Sequence, residues 1–383
     1  MSTTPSGHYI ETTVAKEAVR AFVPDPLPPT LSTEHQESLR DPIRQAETAL
    51  ERLKSAGEMI PSVNWFIYSF VRKEALLSSE IEGTQATLTD VLSFEQTGQS
   101  GSSDIADVEE VTNYVRAANY AFDELDSRKG LPISVRLLNE CHLRLMQGVR
   151  GKDKLPGEFR RSQVWVGGTR PGNAVFVPPP WKKVPDLLSA METYIHGDDE
   201  LHPLLRIAAL HLQFETIHPY LDGNGRVGRL IIALLLKEWN ILDNPLLYLS
   251  LYLKENQKDY YAHLNKVRES SEWIEWFKFF LTGITAVAEN ATTTARKLNK
   301  QISDDRHALL ASKSVTVSSI QLFEALPEHP VVSMPLVTKL LGITKPTASK
   351  AINQLAANGI LQEMGERKRD RLYKYNSYLA LLA

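Results

Sequence analysis

Twelve consecutive residues, His218-Pro219-Tyr220-Leu221-Asp222-Gly223-Asn224-Gly225-Arg226-Val227-Gly228-Arg229, contain a base, a hard carboxylate, a glycine-bracketed turn and two guanidinium groups. Gly223 and Gly225 flank Asn224, a composition that permits positive φ and lets successive backbone N–H groups converge on an anion. A helix starting near Arg226 would aim its unpaired N–H groups and positive dipole end at the same place. Arg226 and Arg229, three apart on one face, could then grip the oxygens of a polyphosphate. Asp222 suits Mg²⁺, which is ordinarily held by one or two carboxylates plus substrate phosphates. His218, with an unperturbed pKa of about 6.5, is mostly neutral at pH 7 and can accept a proton. No Gly-Lys-Ser/Thr follows the glycines, so this is not a Walker A loop. A plain turn with solvated arginines would explain any one of these residues, but not all of them together.

The elements that must position this stretch are helical. Leu204, Leu205, Ile207, Ala208, Leu210, Leu212 and Phe214 recur upstream at helical spacing, as do Leu230, Ile231, Ala233, Leu234 and Leu235 downstream. The loop therefore joins two buried helices. Further helices are expected over Thr33–Leu53, from Pro61 to a C-cap at Gly83, over Asp104–Leu125 and over Leu131–Val149. Residues 1–35, rich in Ser, Thr and Pro, read as an extended arm, and Thr89–Ser103 as a loop. Between Gly157 and Pro180, Val164–Val166 and Ala174–Val177 enclose Gly, Pro and Asn, which predicts a hairpin with a free strand edge that a partner segment could join. The aromatic stripe Trp273, Trp276, Phe277, Phe279 and Phe280 reads as core.

With 383 residues, 43% of them hydrophobic, the chain can bury a sizeable core in two or three domains. A net charge of −3 gives no global basic field, so any contact with DNA must be local. The single Cys141 excludes an internal disulfide and sits in an apolar pattern, as a small buried hydrophobe would. No run is long and apolar enough to span a bilayer and no signal core opens the chain, so the expectation is a cytoplasmic protein without a membrane partner.

The twelve-residue stretch resembles the signature of the Fic (filamentation induced by cAMP) family, His-Pro-Phe-x-Asp/Glu-Gly-Asn-Gly-Arg-x-x-Arg, departing from it only at Tyr220. The resemblance implies a mainly α fold, with a Fic-type helical core and a β-hairpin flap that holds a target's hydroxyl-bearing segment. It also implies a protein adenylyltransferase. ATP would donate AMP to a Ser, Thr or Tyr hydroxyl of a target protein or of the chain itself, with His218 as base and Mg²⁺ on Asp222. Gly223, Asn224, Gly225, Arg226, Val227, Gly228 and Arg229 would surround the phosphates, and Asn224 would orient the innermost one. Val166, Gly167 and Gly168 of the flap would border the nucleotide, and Tyr260 and Tyr261 resemble a pair that lines the adenine pocket. Related chains carry asparagine seven residues beyond that pair, where this one has Arg268.

Ser78, Glu82 and Gly83 resemble the family's inhibitory motif, Ser/Thr-x-x-x-Glu-Gly/Asn. Glu82 would pair with Arg229, because a carboxylate and an ATP oxygen cannot both occupy one guanidinium fork. Some relatives use this glutamate instead to position water and remove AMP. Relatives of this architecture often form dimers, which implies a homodimer.

Residues 315–383 look like a winged helix-turn-helix. Lys345, Thr347, Ser349 and Lys350 lie on its recognition helix, and Glu366–Arg371 forms a basic wing. Such a unit binds DNA or serves as a packing or protein-docking surface, and the first role would make the chain a nucleotide-sensing regulator. The expected division is 1–110 for an N-terminal helical region with the inhibitory helix, 111–285 for the catalytic core, 286–314 for a linker helix and 315–383 for the winged unit.

Overall fold

A computed structural model of the chain describes residues 5–58, 63–99, 103–148, 153–312, 315–364 and 371–382, with the backbone alone for 63–66. The first element corrects the expected arm. β1 (Gly7–Val14) and β2 (Glu17–Pro24) form an antiparallel hairpin in the register Gly7↔Pro24 to Val14↔Glu17. Ala15 and Lys16 make its turn, both with positive φ. That turn normally favours Gly or Asn, so its usual signal was missing.

α1 (Thr33–Glu58) and α2 (Val63–Ile81) follow; Pro61, the expected start of the second helix, lies outside the described residues. The loop expected over 89–103 is largely a helix, α3 (Leu88–Thr97), which Gly98 ends in the left-handed region. Thr87 caps it by accepting from the Asp90 N–H, and Val91 and Leu92 bury its inner face, so capping and burial outweigh the polar composition. α4 (Ile105–Asp126) is capped by Asp104. α5 (Val135–Leu145) starts after Ser134 and is shorter than expected; Val149 lies outside the described residues.

The expected hairpin between 157 and 180 reduces to one bridge, Val166 with Phe176, around a single 3₁₀ turn at Pro171–Asn173. Prolines at 171 and 178–180 remove ladder donors on either side of the short β-prone run, which limits pairing. Its edge is not free either, since Phe22 of β2 donates to Val177 O at 2.9 Å.

α6 (Val184–His196), α7 (Pro203–Ile217) and α8 (Asn224–Glu238) come next, then α9 (Ser250–Glu255) and α10 (Gln257–Ser270). α7 is buried all round from Leu204 to Ile217 apart from Arg206, so the 218–223 stretch leaves the centre of the molecule and α8 returns to it.

α11 (Trp273–Ala311) is one continuous helix packed along α1, with no break where core and linker were expected to meet. Its buried stripe runs without interruption from Trp276 through Ile284, Ala288, Ala291, Ala295 and Leu298 to Ile302.

The C-terminal unit comprises α12 (Val317–Ala325), β3 (Val331–Ser333), α13 (Met334–Leu341), α14 (Lys345–Ala357), β4 (Leu361–Met364), β5 (Leu372–Tyr375) and α15 (Asn376–Ala380). Its antiparallel sheet has the order β3-β5-β4, in which β3 and the closing α15 add to the three helices and two strands expected. Wing residues 366–370 lie outside the described residues. The unit is not separate from the body: Tyr375 donates to Asp305 on α11 at 2.6 Å, and the Tyr378 and Ser69 hydroxyls lie 3.2 Å apart.

Candidate active site

α7 ends at His218, whose backbone turns into the left-handed region (φ 50°) while its N–H still closes the helix on Phe214 O. Gly223, at φ 78°, turns the chain into α8, which begins at Asn224, two residues earlier than expected. Asn224 staples the loop between them, its amide accepting from the Tyr220 N–H at 2.8 Å and donating to Tyr220 O at 2.9 Å. These two bonds fix the shape of the loop.

Two residues that the sequence pattern did not single out complete the loop. The His142 ring stacks on Tyr220 at 3.8 Å between centroids. Gly157 N–H donates to its Nδ1, so the proton sits on Nε2 and goes to Asp222 O at 3.0 Å. Burial pushes its pKa down to about 4, which keeps it neutral in this role. Arg160 is 1% exposed and donates to four carbonyls: His218 O at 2.9 Å, Pro179 O at 2.6 Å, Ser162 O and Ile217 O. It ties the 218–223 loop to the stretches on either side of the Val166–Phe176 bridge segment. Burial lowers its pKa to about 10, so it stays charged.

The α8 N-terminus already faces an anion. Glu82, the first residue after α2, places Oε1 over Gly225, where an added Cβ would collide with it, and accepts from Arg229 Nη2 at 2.7 Å. Burial alone would raise the Glu82 pKa, but the Arg229 charge and hydrogen bond, helped by Arg226, hold it below the ordinary carboxylate value. Arg229 also donates to Ser78 Oγ and Ser78 O, both at 2.8 Å. Glu74, Ser78 and Glu82, each four residues apart, thus line one face of α2 toward α8. Glu74 hydrogen-bonds the Ser250 hydroxyl and its N–H, and burial raises its pKa to about 7. Arg226 pairs with Glu110 and, at 3.4 Å, with Asp222.

His218 is half-buried, and its pKa is lowered to about 4 by burial first, then by the charges of Arg160 and Arg268. It therefore stands neutral at pH 7, with a ring nitrogen free of the proton it would need to lose. Phosphates arriving on the loop would raise its basicity. Asp222 is half-exposed, its Oδ1 held by the Gly223 N–H at 2.6 Å, beside a cavity of about 210 Å³ that Glu109 and Arg226 also line. Among the described residues no three His, Cys, Asp or Glu side chains are grouped to hold a metal by themselves. The cavity is acidic, lined by Glu82, Glu109, Glu110 and Asp222 against the single guanidinium of Arg226, and such hard oxygen donors fit Mg²⁺.

The remaining predicted residues divide. Tyr260 lies under α8, its hydroxyl donating to His211 Nε2 at 2.8 Å while His211 Nδ1 donates to Gly228 O. Its polar tip belongs to the core. Tyr261 is 42% exposed and close enough to Glu82 and Arg229 to feel both charges. Arg268 donates to Thr216 Oγ1 and Asn265 Oδ1 and lies over the Phe176 ring at 3.9 Å, linking α10 to the bridge segment. Gly167 and Gly168 both have positive φ next to Val166, and Gly228 lets α8 approach Glu215 of α7. Glu215 Oε1 is buried with no hydrogen-bond partner, and burial lifts its pKa to about 7. Cys141 is buried, its thiol pushed up to about 12, as a packing residue should be.

Residues 132–236 match the Fic/DOC family, and residues 40–123 match the Fic/DOC family N-terminal region. Curated relatives include "Protein adenylyltransferase Fic" of Drosophila willistoni, 26% identical over 65% of this chain and 50% of that protein. The Culex quinquefasciatus protein of the same name is 29% identical over 54% of this chain and 43% of its own length. The chain thus spans about half the length of the curated relatives it matches. Among solved structures, a Fic family protein from Desulfovibrio desulfuricans G20 superposes with a TM-score of 0.57 at 20% identity, over 92% of this chain and 98% of that one. At that identity the likeness shows the fold.

Proposed function

This chain belongs to the Fic/DOC family, and from that premise we propose that it is a protein adenylyltransferase, transferring AMP from ATP to hydroxyl side chains of target proteins and of itself. The observation that carries the reading is the Glu82 carboxylate seated over Gly225 and held by Arg229, an anion already resting at a helix N-terminus built for one. The triphosphate would take that place. Arg229, released from Glu82, and Arg226 would hold its outer oxygens, and the 223–226 backbone N–H groups the rest.

The target hydroxyl oxygen forms a bond to the α-phosphorus, its proton passes to the neutral His218 imidazole, and the bond from the α-phosphorus to the bridging oxygen breaks to release pyrophosphate. Asp222 would hold Mg²⁺, whose charge would offset the negative charge of the α- and β-phosphates. Arg160, by fixing the His218 carbonyl, keeps the imidazole aimed across the loop.

Glu82 makes this a resting enzyme, because the guanidinium it occupies is the one the outer phosphate requires. Replacing Glu82 with Gly should raise transfer of labelled AMP to protein by about ten- to a hundredfold, the span expected when a charge-assisted bond of about 1.5–3 kcal/mol stops competing. Equal labelling by both forms would remove Glu82 from any inhibitory role. The same carboxylate could position water for the reverse reaction, so loss of label from a pre-modified acceptor on incubation with the unaltered chain would reassign the direction. The reading further takes the active species as a homodimer. The exposed Lys345 and Lys350 on α14 favour a local nucleic-acid contact as a secondary role, which salt-dependent retention of duplex DNA would support.

A further inference from the structure

The segment around the Val166–Phe176 bridge has little regular structure: one bridge, a short 3₁₀ turn and two large apolar side chains turned outward, Trp165 at 37% and Val175 at 65% exposure. Asn173 ties its tip from within, accepting from the Thr169 and Arg170 N–H groups at 3.0 and 2.9 Å, and the N-terminal hairpin braces it from outside. At one end Phe22 N–H donates to Val177 O; at the other the Glu17 carboxylate accepts from the Gly172 N–H at 3.0 Å and from Arg170. Both contacts join residues separated by the same distance in sequence, so β2 runs parallel to the 172–177 arm and in step with it. Val14, Val19 and Ala21 bury Val177 beneath the first contact. Between hairpin, arm and α10 lies a cavity of about 400 Å³, bordered by Tyr9, Arg20, Val175, Phe176 and Arg268, so much of the arm has no packed core behind it. A Cβ at Gly172 would press on the tip of the Glu17 side chain, which would have to shift.

We propose that the β1–β2 hairpin and the 164–177 segment form one platform on which the acceptor's hydroxyl-bearing segment lies, with the hairpin as its fixed half and Glu17 as a positioning residue for the flap. This rests on the adenylyltransferase reading and extends it: acceptor recognition reaches back to the first 24 residues, whereas nucleotide recognition does not. Among the described residues no hydrogen bond or ion pair joins the hairpin to the 218–229 loop, so the brace acts on acceptor affinity and leaves nucleotide affinity alone.

The test uses the full chain carrying Glu82→Gly, with the His218→Ala chain supplied in trans as acceptor and labelled ATP as donor. Adding Glu17→Ala should raise the acceptor's KM about five- to tenfold while the KM for ATP stays within about twofold, and Glu17→Gln, which keeps an accepting oxygen, should recover most of the loss. Hydrogen exchange on the same proteins should show amides of 164–177 exchanging about tenfold faster in Glu17→Ala and unchanged in the 218–229 loop. Unchanged exchange at 164–177, or a KM for ATP that rises in step with the acceptor's, overturns the proposal. If the Glu82→Gly chain labels nothing, the transferase reading is what has failed, and the exchange measurement alone decides whether the hairpin braces the flap.

Discussion

The 218–229 loop and the 164–177 flap are held in place in different ways. In the loop, Asn224 clamps Tyr220, His142 stacks on Tyr220 and bonds the Asp222 carbonyl, Arg160 holds His218, and every one of these side chains except His218 and Asp222 is nearly or wholly buried. The flap has a single bridge and is held at its ends by the N-terminal hairpin. On the adenylyltransferase reading, in-line transfer needs closely fixed reacting atoms, whereas the surface that takes the acceptor can tolerate adjustment. The loop is therefore clamped by buried side chains, its own Asn224 and others brought in from α5 and residue 160, whereas the flap is braced by fewer and more exposed contacts.

Breaking the comparison at its hardest point should give the largest effect. His218→Ala leaves the loop's clamps in place, because the contacts of His218 that matter to the fold are made by its backbone N–H and C=O. Transfer of labelled AMP should fall by about 10²–10⁴-fold, the range expected for loss of a positioned base, with thermal stability nearly unchanged. Retained transfer would mean that another group takes the proton.

Arg160 is where the two regions meet, so substituting it should affect both. Arg160→Lys keeps the charge but cannot reproduce four directed hydrogen bonds to carbonyls on two segments. The expected outcome is about a tenfold loss of transfer, shared between the KM values for ATP and acceptor, with a lowered melting temperature. A loss confined to the acceptor's KM would show that Arg160 serves the flap alone.

How far each region can be read from sequence follows the same division. The loop's functional residues are contiguous, so their spacing is itself the geometry, and the joint meaning of His218, Asp222, Gly225 and Arg229 was available without tertiary information. The residues that immobilise the loop were not. His142 is 80 residues from the carbonyl it bonds, and Glu110 is 116 from Arg226. Only burial identifies them, and a lone His or Glu on a helix carries no such mark. Arg160 stood in a recognisable stretch, but its four carbonyl partners come from chain folding. In the N-terminal hairpin, Ala15 and Lys16 occupy positive-φ positions without the Gly or Asn that would have announced the turn. α3 was hidden for the converse reason: its Ser, Thr and Gln residues resemble a loop until Thr87 caps it and Val91 and Leu92 find a core. The boundary expected near 285 placed a seam where the aromatic half of α11 gives way to its alanine-rich half, a change of composition without a change of structure.

The finest discrimination concerns Tyr220, the single departure from the family signature. Its ring is the surface on which His142 stacks, and Phe would keep that contact. Its hydroxyl donates to Asn139 Oδ1 at 2.9 Å in a site where the ring is 1% exposed, so removing the hydroxyl leaves Asn139 short of one donor in a half-buried place. Such a loss costs about 1 kcal/mol of stability. For a chain of this size that should lower the melting temperature by no more than about 2–4 °C. AMP transfer should stay within about twofold, because the backbone atoms of Tyr220 that hold Asn224, and through it the turn, are untouched. A large fall in transfer at nearly constant stability would mean that the hydroxyl itself orients the loop, and that its rigidity comes from one bond to α5 more than from the stacked ring and the Asn224 clamp.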